Sequence, residues 1–209
     1  MIKVLLADDH AIVRDGLTRL LDSTPDIRVA AEVGDSDAAV AAVAQGGIDV
    51  VLLDVSMPGK GFLEVLRELG EQFPGVRVIV LSGHAEEEYA ERALRAGAIG
   101  YVTKERTPTD LLDAIRRAHR GVRFISDTLA QQLAARLADG RSEDHEALSD
   151  REYQVLQLLG CGKSIKEIAA HLELSPKTIS TYRERILQKL RLKTTADLIR
   201  YAVQHGIAD

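Results

Sequence analysis

At 209 residues, with 45% hydrophobic and 28% charged side chains, the chain has the composition of an ordinary globular protein with room for one or two domains. Its apolar runs, such as Val50 to Leu53, are far too short to span a bilayer. The opening Met-Ile-Lys-Val-Leu-Leu-Ala-Asp-Asp reaches carboxylates too early for a signal peptide, so a cytoplasmic protein with no membrane association is expected. The net charge of −5 is unevenly spread: His145 to Asp209 carries 10 Lys and Arg against 8 Asp and Glu, which leaves the acidic excess in the first two thirds. Cys161 is the single cysteine, which excludes an internal disulfide; without Cys or His partners at metal-ligand spacing it reads as a small side chain near a helix end.

Residues 1–120 alternate between short Val, Ile and Leu-rich runs and amphipathic stretches. Strands are predicted at Lys3 to Ala7, Arg28 to Val33, Val50 to Leu53, Arg77 to Leu81 and Gly100 to Val102. Helices are predicted at Ala11 to Leu21, Ser36 to Ala44, Phe62 to Gln72, Glu86 to Ala96 and Pro108 to His119, the last with Thr107 as N-cap and Pro108 at the first position. That order implies an α/β domain with a five-stranded, doubly wound parallel sheet of flavodoxin-like arrangement, whose ligand site lies at the carboxyl ends of the strands.

Residues 121–147 read as a connecting helix, Asp127 to Ala138, and a linker, Asp139 to Ala147. Strand signals then vanish. Residues 148–209 predict a small all-α domain with helices at Asp150 to Leu159, Ile165 to Leu172, Pro176 to Leu190 and Ala196 to His205. Ser149 with Glu152 and Ser164 with Glu167 fit capping boxes, and Ser175-Pro176 fits an N-cap followed by a first-turn proline.

Asp8 and Asp9 follow the first strand and Asp54 follows the third, so a parallel sheet brings all three to one edge. Clustered carboxylates repel unless a cation compensates, and a hard oxygen-seeking ion such as Mg²⁺ suits them. Ser82 ends the fourth strand and Lys104 lies just past the fifth, which adds a hydroxyl and an ammonium to the same edge. A nucleophilic carboxylate, a metal site, a hydrogen-bond donor and a cationic clamp are the parts of an acyl-phosphate site. Taken singly, each residue has a duller explanation; their joint placement carries the reading.

Asp8-Asp9, Asp54-Val-Ser-Met-Pro58-Gly59, Ser82 and Gly100-Tyr101-Val-Thr-Lys104 resemble the motif set of bacterial response-regulator receiver domains, from Ile2 to about Arg120. The resemblance implies that Asp54 accepts a phosphoryl group from a sensor histidine kinase. It makes Asp9, Asp54 and the Ser56 carbonyl direct Mg²⁺ ligands, with Asp8 acting largely through water. Lys104 would pair with the phosphoryl group, Ser82 would hydrogen-bond it, and Tyr101 would change rotamer in response. The loop Gly59-Lys60-Gly61-Phe62 departs from the pattern, which more often has glycine where Phe62 stands. His10 and His84 flank the site and read as surface residues.

In the second domain, Ile179, Ile186 and Leu190 share one helix face, while Lys177, Thr181, Glu184 and Gln188 point away. From Pro176 to Lys193 six cations stand against Glu184 alone, a candidate polyanion surface. Leu148-Ser-Asp-Arg-Glu, Gly162-Lys-Ser-Ile-Lys-Glu-Ile-Ala and Leu174-Ser-Pro-Lys-Thr-Ile-Ser-Thr-Tyr-Arg-Glu-Arg resemble the LuxR-type helix-turn-helix. The whole chain then resembles the NarL/FixJ family of transcriptional regulators. By that resemblance the Pro176 helix enters the major groove of double-stranded promoter DNA, with Lys177, Ser180, Thr181 and Glu184 nearest the base edges. Lys163, Lys166, Thr178, Tyr182, Arg185 and Lys189 would meet phosphates, and Arg183 would pack its stem inward. Glu184 could accept from cytosine N4 or repel phosphate, and both stay open. The last helix, through Leu198, Ile199, Ala202 and Val203, is implied to join a homodimer when the protein is phosphorylated or DNA-bound.

Two other functions use the same residues. A Mg²⁺-dependent aspartyl-phosphate phosphatase would share the carboxylate chemistry, but Ser56 stands where that class usually has an acid. A DNA-binding regulator whose receiver serves only as an interaction module would not need the full set of Asp8, Asp9, Asp54 and Lys104.

Overall fold

The computed structural model describes residues 1–83, 86–126, 129–131, 144–172, 174–205 and 207–208. The chain divides into two compact units, Met1–Gly140 and Arg141–Asp209.

In the first unit, β1 (Ile2–Ala7), β2 (Ile27–Val33), β3 (Val50–Asp54), β4 (Arg77–Ser82) and β5 (Gly100–Thr103) form one parallel sheet in the order β2-β1-β3-β4-β5. They alternate with α1 (Ala11–Asp22), α2 (Ser36–Ala44), α3 (Phe62–Gln72), α4 (Glu86–Arg95) and α5 (Pro108–His119). Each predicted strand and helix is present within one residue of its expected ends. β3, β4 and β5 end one residue later than expected because Asp54, Ser82 and Thr103 continue the ladder, Asp54 pairing Leu81 and Ser82 pairing Thr103, while β1 and β2 start one residue earlier, at Ile2 and Ile27.

Alternating side chains send Val4, Leu6, Val50, Leu52, Ile79, Leu81 and Val102 to one face, where they pack with Leu21 of α1 and with Leu111, Ala114, Ile115 and Ala118 of α5. Their neighbours Leu5, Val51, Leu53 and Val80 point the other way and are equally buried. A sheet buried on both faces has near-continuous apolar strands, which is why these runs lacked polar alternation. The first unit continues past residue 120. Phe124 extends the sheet, its N–H donating to the Ile99 carbonyl at 3.1 Å and its carbonyl accepting from the Tyr101 N–H at 3.3 Å.

The expected connecting helix, Asp127 to Ala138, falls mostly outside the described residues, of which Leu129, Ala130 and Gln131 are helical. The linker reading of Asp139 to Ala147 needs correction at its end. Asp144–Ala147 is a 3₁₀ helix of the second unit, and His145, 8% exposed, packs among the rings of Tyr153, Tyr201 and His205. Too short for any periodicity, the segment is ordered by aromatic partners distant in sequence.

The second unit continues with α6 (Asp150–Gly160), α7 (Ile165–His171), α8 (Pro176–Lys189) and α9 (Thr195–Gln204). Both expected capping boxes form, with Ser149 and Glu152 at α6 and Ser164 and Glu167 at α7, and Ser175 caps α8. A third box, Thr194 with Asp197, starts α9; the usual Ser/Thr-to-Glu/Gln template misses it because the third residue is aspartate. Ile179, Ile186 and Leu190 are buried with Val155, Leu156, Ile168, Leu198 and Ala202 in the core of this unit.

Candidate functional site

In the first unit the strand ends converge as a parallel sheet requires. Asp8 and Asp54 are both 2% exposed, and Lys104 reaches both, its Nζ lying 2.7 Å from Asp8 Oδ2 and 2.9 Å from Asp54 Oδ1. The Lys104 N–H donates to the Ser82 carbonyl at 2.7 Å, so the hydroxyl-bearing and ammonium-bearing strand ends are tied together. Ser82 is fully buried, and so is the ring of Tyr101 on β5.

Several contacts missed by sequence reasoning hold the acids in place. The Arg14 guanidinium donates to the Asp8 carbonyl at 2.6 Å, and the His10 N–H donates to Asp8 Oδ1 at 2.8 Å. The Ser56 N–H donates to Asp54 Oδ2 at 3.3 Å. The β3–α3 loop is latched to the start of α2: the Ser36 N–H donates to the Pro58 carbonyl at 3.1 Å and its hydroxyl to the Lys60 carbonyl at 2.8 Å. Gly59 turns this loop at φ +98°, a left-handed conformation, and a side chain there would also crowd Ser36 and Asp37. Phe62 therefore does not disturb the loop. It begins α3, is 2% exposed, and meets Tyr89 of α4 edge-on at 6.0 Å.

Burial raises the Asp54 carboxyl above the usual aspartate range, with the Asp8 charge adding to it and Lys104 opposing it. For Lys104 desolvation acts downward but is outweighed by the hydrogen bonds to Asp8 and Asp54, so its pKa rises and it stays an ammonium. The donor set fits a divalent cation: carboxylate oxygens of Asp8, Asp9 and Asp54 lie within 4.8 Å of one another and of a ring nitrogen of His10. His10 is not a bystander. Although its side chain is 61% exposed, its Nδ1 stands 2.7 Å from Asp9 and 3.4 Å from Asp8. His84 lies outside the described residues.

In the second unit Ser175, Lys177, Thr178, Thr181, Tyr182 and Arg185 line a shallow groove of about 280 Å³ at the start of α8. Glu184 is exposed on the same helix, and Lys163 and Lys166 are exposed at the start of α7. Ser180 and Thr181 turn their hydroxyls back to the helix, donating to the carbonyls of Pro176 at 3.0 Å and Lys177 at 3.1 Å. Arg183 is half-buried.

Two expectations are corrected. Lys189, read as a phosphate contact, has its ammonium engaged by partners of its own unit: its Nζ is 2.6 Å from Glu152 Oε2 and donates to the Ala147 carbonyl at 3.0 Å. A helix wheel could not show this, because Glu152 arrives from another helix. Leu198 and Ala202, assigned to a dimer contact, have no exposed surface and belong to the core of the unit, which leaves half-buried Ile199 and exposed Val203 on the outer face of α9.

Comparisons with known proteins agree with both halves. Residues 4–116 match the family described as response regulator receiver domain, and residues 146–202 match bacterial regulatory proteins of the luxR family. The response regulator UvrY of Escherichia coli K12 is 37% identical, the alignment covering 100% of this chain and 97% of that protein. The response regulator GacA of Pseudomonas aeruginosa is also 37% identical, over 100% of this chain and 99% of that protein. Among solved structures, RcsB of Salmonella enterica serovar Typhimurium bound to promoter rprA with the phosphomimetic BeF3⁻ is 29% identical, with a TM-score of 0.60 over 96% of this chain and 98% of that one.

Proposed function

The chain belongs to the NarL/FixJ family of two-component response regulators, a receiver domain followed by a LuxR-type DNA-binding domain, and from that premise we propose that phosphorylation of Asp54 controls promoter binding through α8. The observation that carries the reading is the ion-paired cluster of Asp8, Asp54 and Lys104 at three strand ends, at hydrogen-bond distances. An Asp54 carboxylate oxygen forms the new P–O bond while the donor's P–N bond to a kinase histidine, or its P–O bond in acetyl phosphate, breaks with the electron pair leaving on the donor. The Lys104 ammonium, already beside Asp54, neutralises a phosphoryl oxygen, and the Ser82 hydroxyl accommodates another. Tyr101 and Ser82 are the buried groups whose repacking would report the new charge.

Asp9, Asp54 and the Ser56 carbonyl would hold Mg²⁺ directly and Asp8 through water. That ion supplies charge neutralisation for the incoming phosphoryl oxygens. The chemistry serves signalling, not turnover of a substrate.

At the DNA, Thr178, Tyr182 and Arg185 around the groove, with Lys163 and Lys166, are the phosphate contacts of this reading. Lys177, Ser180, Thr181 and Glu184 face the bases, the two hydroxyls exchanging their helix carbonyls for base edges. RcsB dimers bound to DNA give the precedent for a dimer on DNA, with half-buried Ile199 and exposed Val203 as the outward apolar contact here.

Acetyl phosphate labelling with Mg²⁺, followed by promoter titration at fixed salt, tests the proposal. Wild type should label and then bind more tightly, and Asp54→Ala should do neither. Equal labelling of the two proteins would remove Asp54 as the acceptor, and unchanged binding after labelling would disconnect the domains.

A further inference from the structure

We propose that His10 is a protein ligand of the acceptor pocket for borderline transition-metal dications, so that Ni²⁺ or Co²⁺ binds there with nitrogen coordination that Mg²⁺ does not use. The inference rests on the acceptor-site reading above and adds an ion selectivity to it.

The geometry is built for a fourth donor. Single donor atoms of Asp8, Asp9, Asp54 and His10 lie within 4.8 Å of one another. The ring nitrogen Nδ1 of His10 is 2.7 Å from Asp9 Oδ1 and 3.4 Å from Asp8 Oδ1, on the same side as the carboxylates. The backbone beneath the ring is fixed at both ends. The His10 N–H donates to Asp8 Oδ1 at 2.8 Å, and its carbonyl accepts from Val13 at 3.0 Å and Arg14 at 3.1 Å as α1 begins. Only two side-chain torsions then remain to be ordered, so ligation by the ring carries little entropy cost.

Ligand chemistry separates the ions. Mg²⁺ takes oxygen in near-ideal octahedra and keeps several waters, so the carboxylates and the Ser56 carbonyl satisfy it without the imidazole. Imidazole favours nickel, zinc and copper, whose affinities already exceed that of Mg²⁺ for mixed nitrogen and oxygen sites. The competing role for His10, a hydrogen bond that steadies Asp9, would change all ions alike.

The test is calorimetric titration of the full chain with MgCl2 and with NiCl2, in wild type, His10→Ala, His10→Gln and Asp9→Asn. Visible absorption of the Co²⁺-loaded proteins gives an independent readout of nitrogen ligation. Glutamine keeps a hydrogen-bond donor near Asp9 but removes the ring nitrogen. We expect Ni²⁺ affinity to fall about tenfold or more in both His10 variants, with Mg²⁺ unchanged within about twofold. The Co²⁺ spectrum should shift, and Asp9→Asn should weaken both ions. Equal Ni²⁺ affinity in wild type and both His10 variants overturns the proposal, as does a parallel fall of Ni²⁺ and Mg²⁺, or Ni²⁺ binding indifferent to Asp9. Acetyl phosphate labelling with Mg²⁺ is scored separately: its failure in wild type would overturn the acceptor reading, while the Ni²⁺ comparison would still decide His10.

Discussion

Asp54 combines burial with a charge it must keep. Because its carboxyl is raised in the folded protein, that state holds a proton more tightly than the unfolded chain, and ionisation costs stability as pH rises through the window between the two values. Asp54→Asn removes this cost. The variant should melt a few degrees above wild type at neutral pH, and the gap should close below about pH 4, where both forms of the carboxyl are protonated. A thermal melt series across pH checks this, and a lower melting temperature for the variant at neutral pH would contradict it. Lys104 follows the opposite rule for a cation with a raised pKa: its contribution is complete below about pH 10 and disappears as pH rises through the folded value.

Among the helices, the pairing of Glu152 with Lys189 joins the start of α6 to the end of α8. Glu152 is nearly sealed from water, with its side chain 3% exposed, while Lys189 is 39% exposed. Removing the lysine strands a buried carboxylate and should cost about 2–3 kcal/mol. Glu152→Gln leaves the ammonium free to turn to water and should cost about 1 kcal/mol. Desolvation pushes Glu152 up, but hydrogen bonds from Lys189 and Ser149 outweigh it and leave its pKa lowered. Its stabilisation is therefore present above about pH 4.3 and lost as pH falls through the folded value, so Glu152→Gln should show a flatter acid limb in chemical denaturation. Gly160, at the end of α6, is a packing constraint: a methyl there would meet the methyl groups of Ala208 and Ala202, the latter at 2.8 Å. Gly160→Ala should destabilise the second unit by about 1–3 kcal/mol, and a neutral denaturation midpoint would show that α9 yields easily.

At the scale of the whole molecule, two units with separate cores imply that the second can stand alone. A fragment of residues 144–209 should unfold cooperatively and bind promoter DNA without dependence on phosphate. A fragment beginning at residue 149 should melt lower, since it lacks the packing of His145. In either protein Arg185→Ala should reduce the salt slope of DNA binding by about 1. Much of this organisation is legible in the sequence, because the signals are local. Apolar runs with turn residues mark the strands, Ser and Thr caps mark the helix starts, and acids placed directly after strands must meet once a parallel sheet forms. The sequence by itself thus determined the two-domain architecture, the family, and the strand-end identities of Asp8, Asp9, Asp54, Ser82 and Lys104. Only the tertiary structure decided that Lys189 belongs to Glu152, that Leu198 and Ala202 are core, that His145 docks on distant aromatics, and that the His10 ring joins the acids. Each of these depends on which partner another element delivers within a few ångströms, and periodicity along one element carries no information about that.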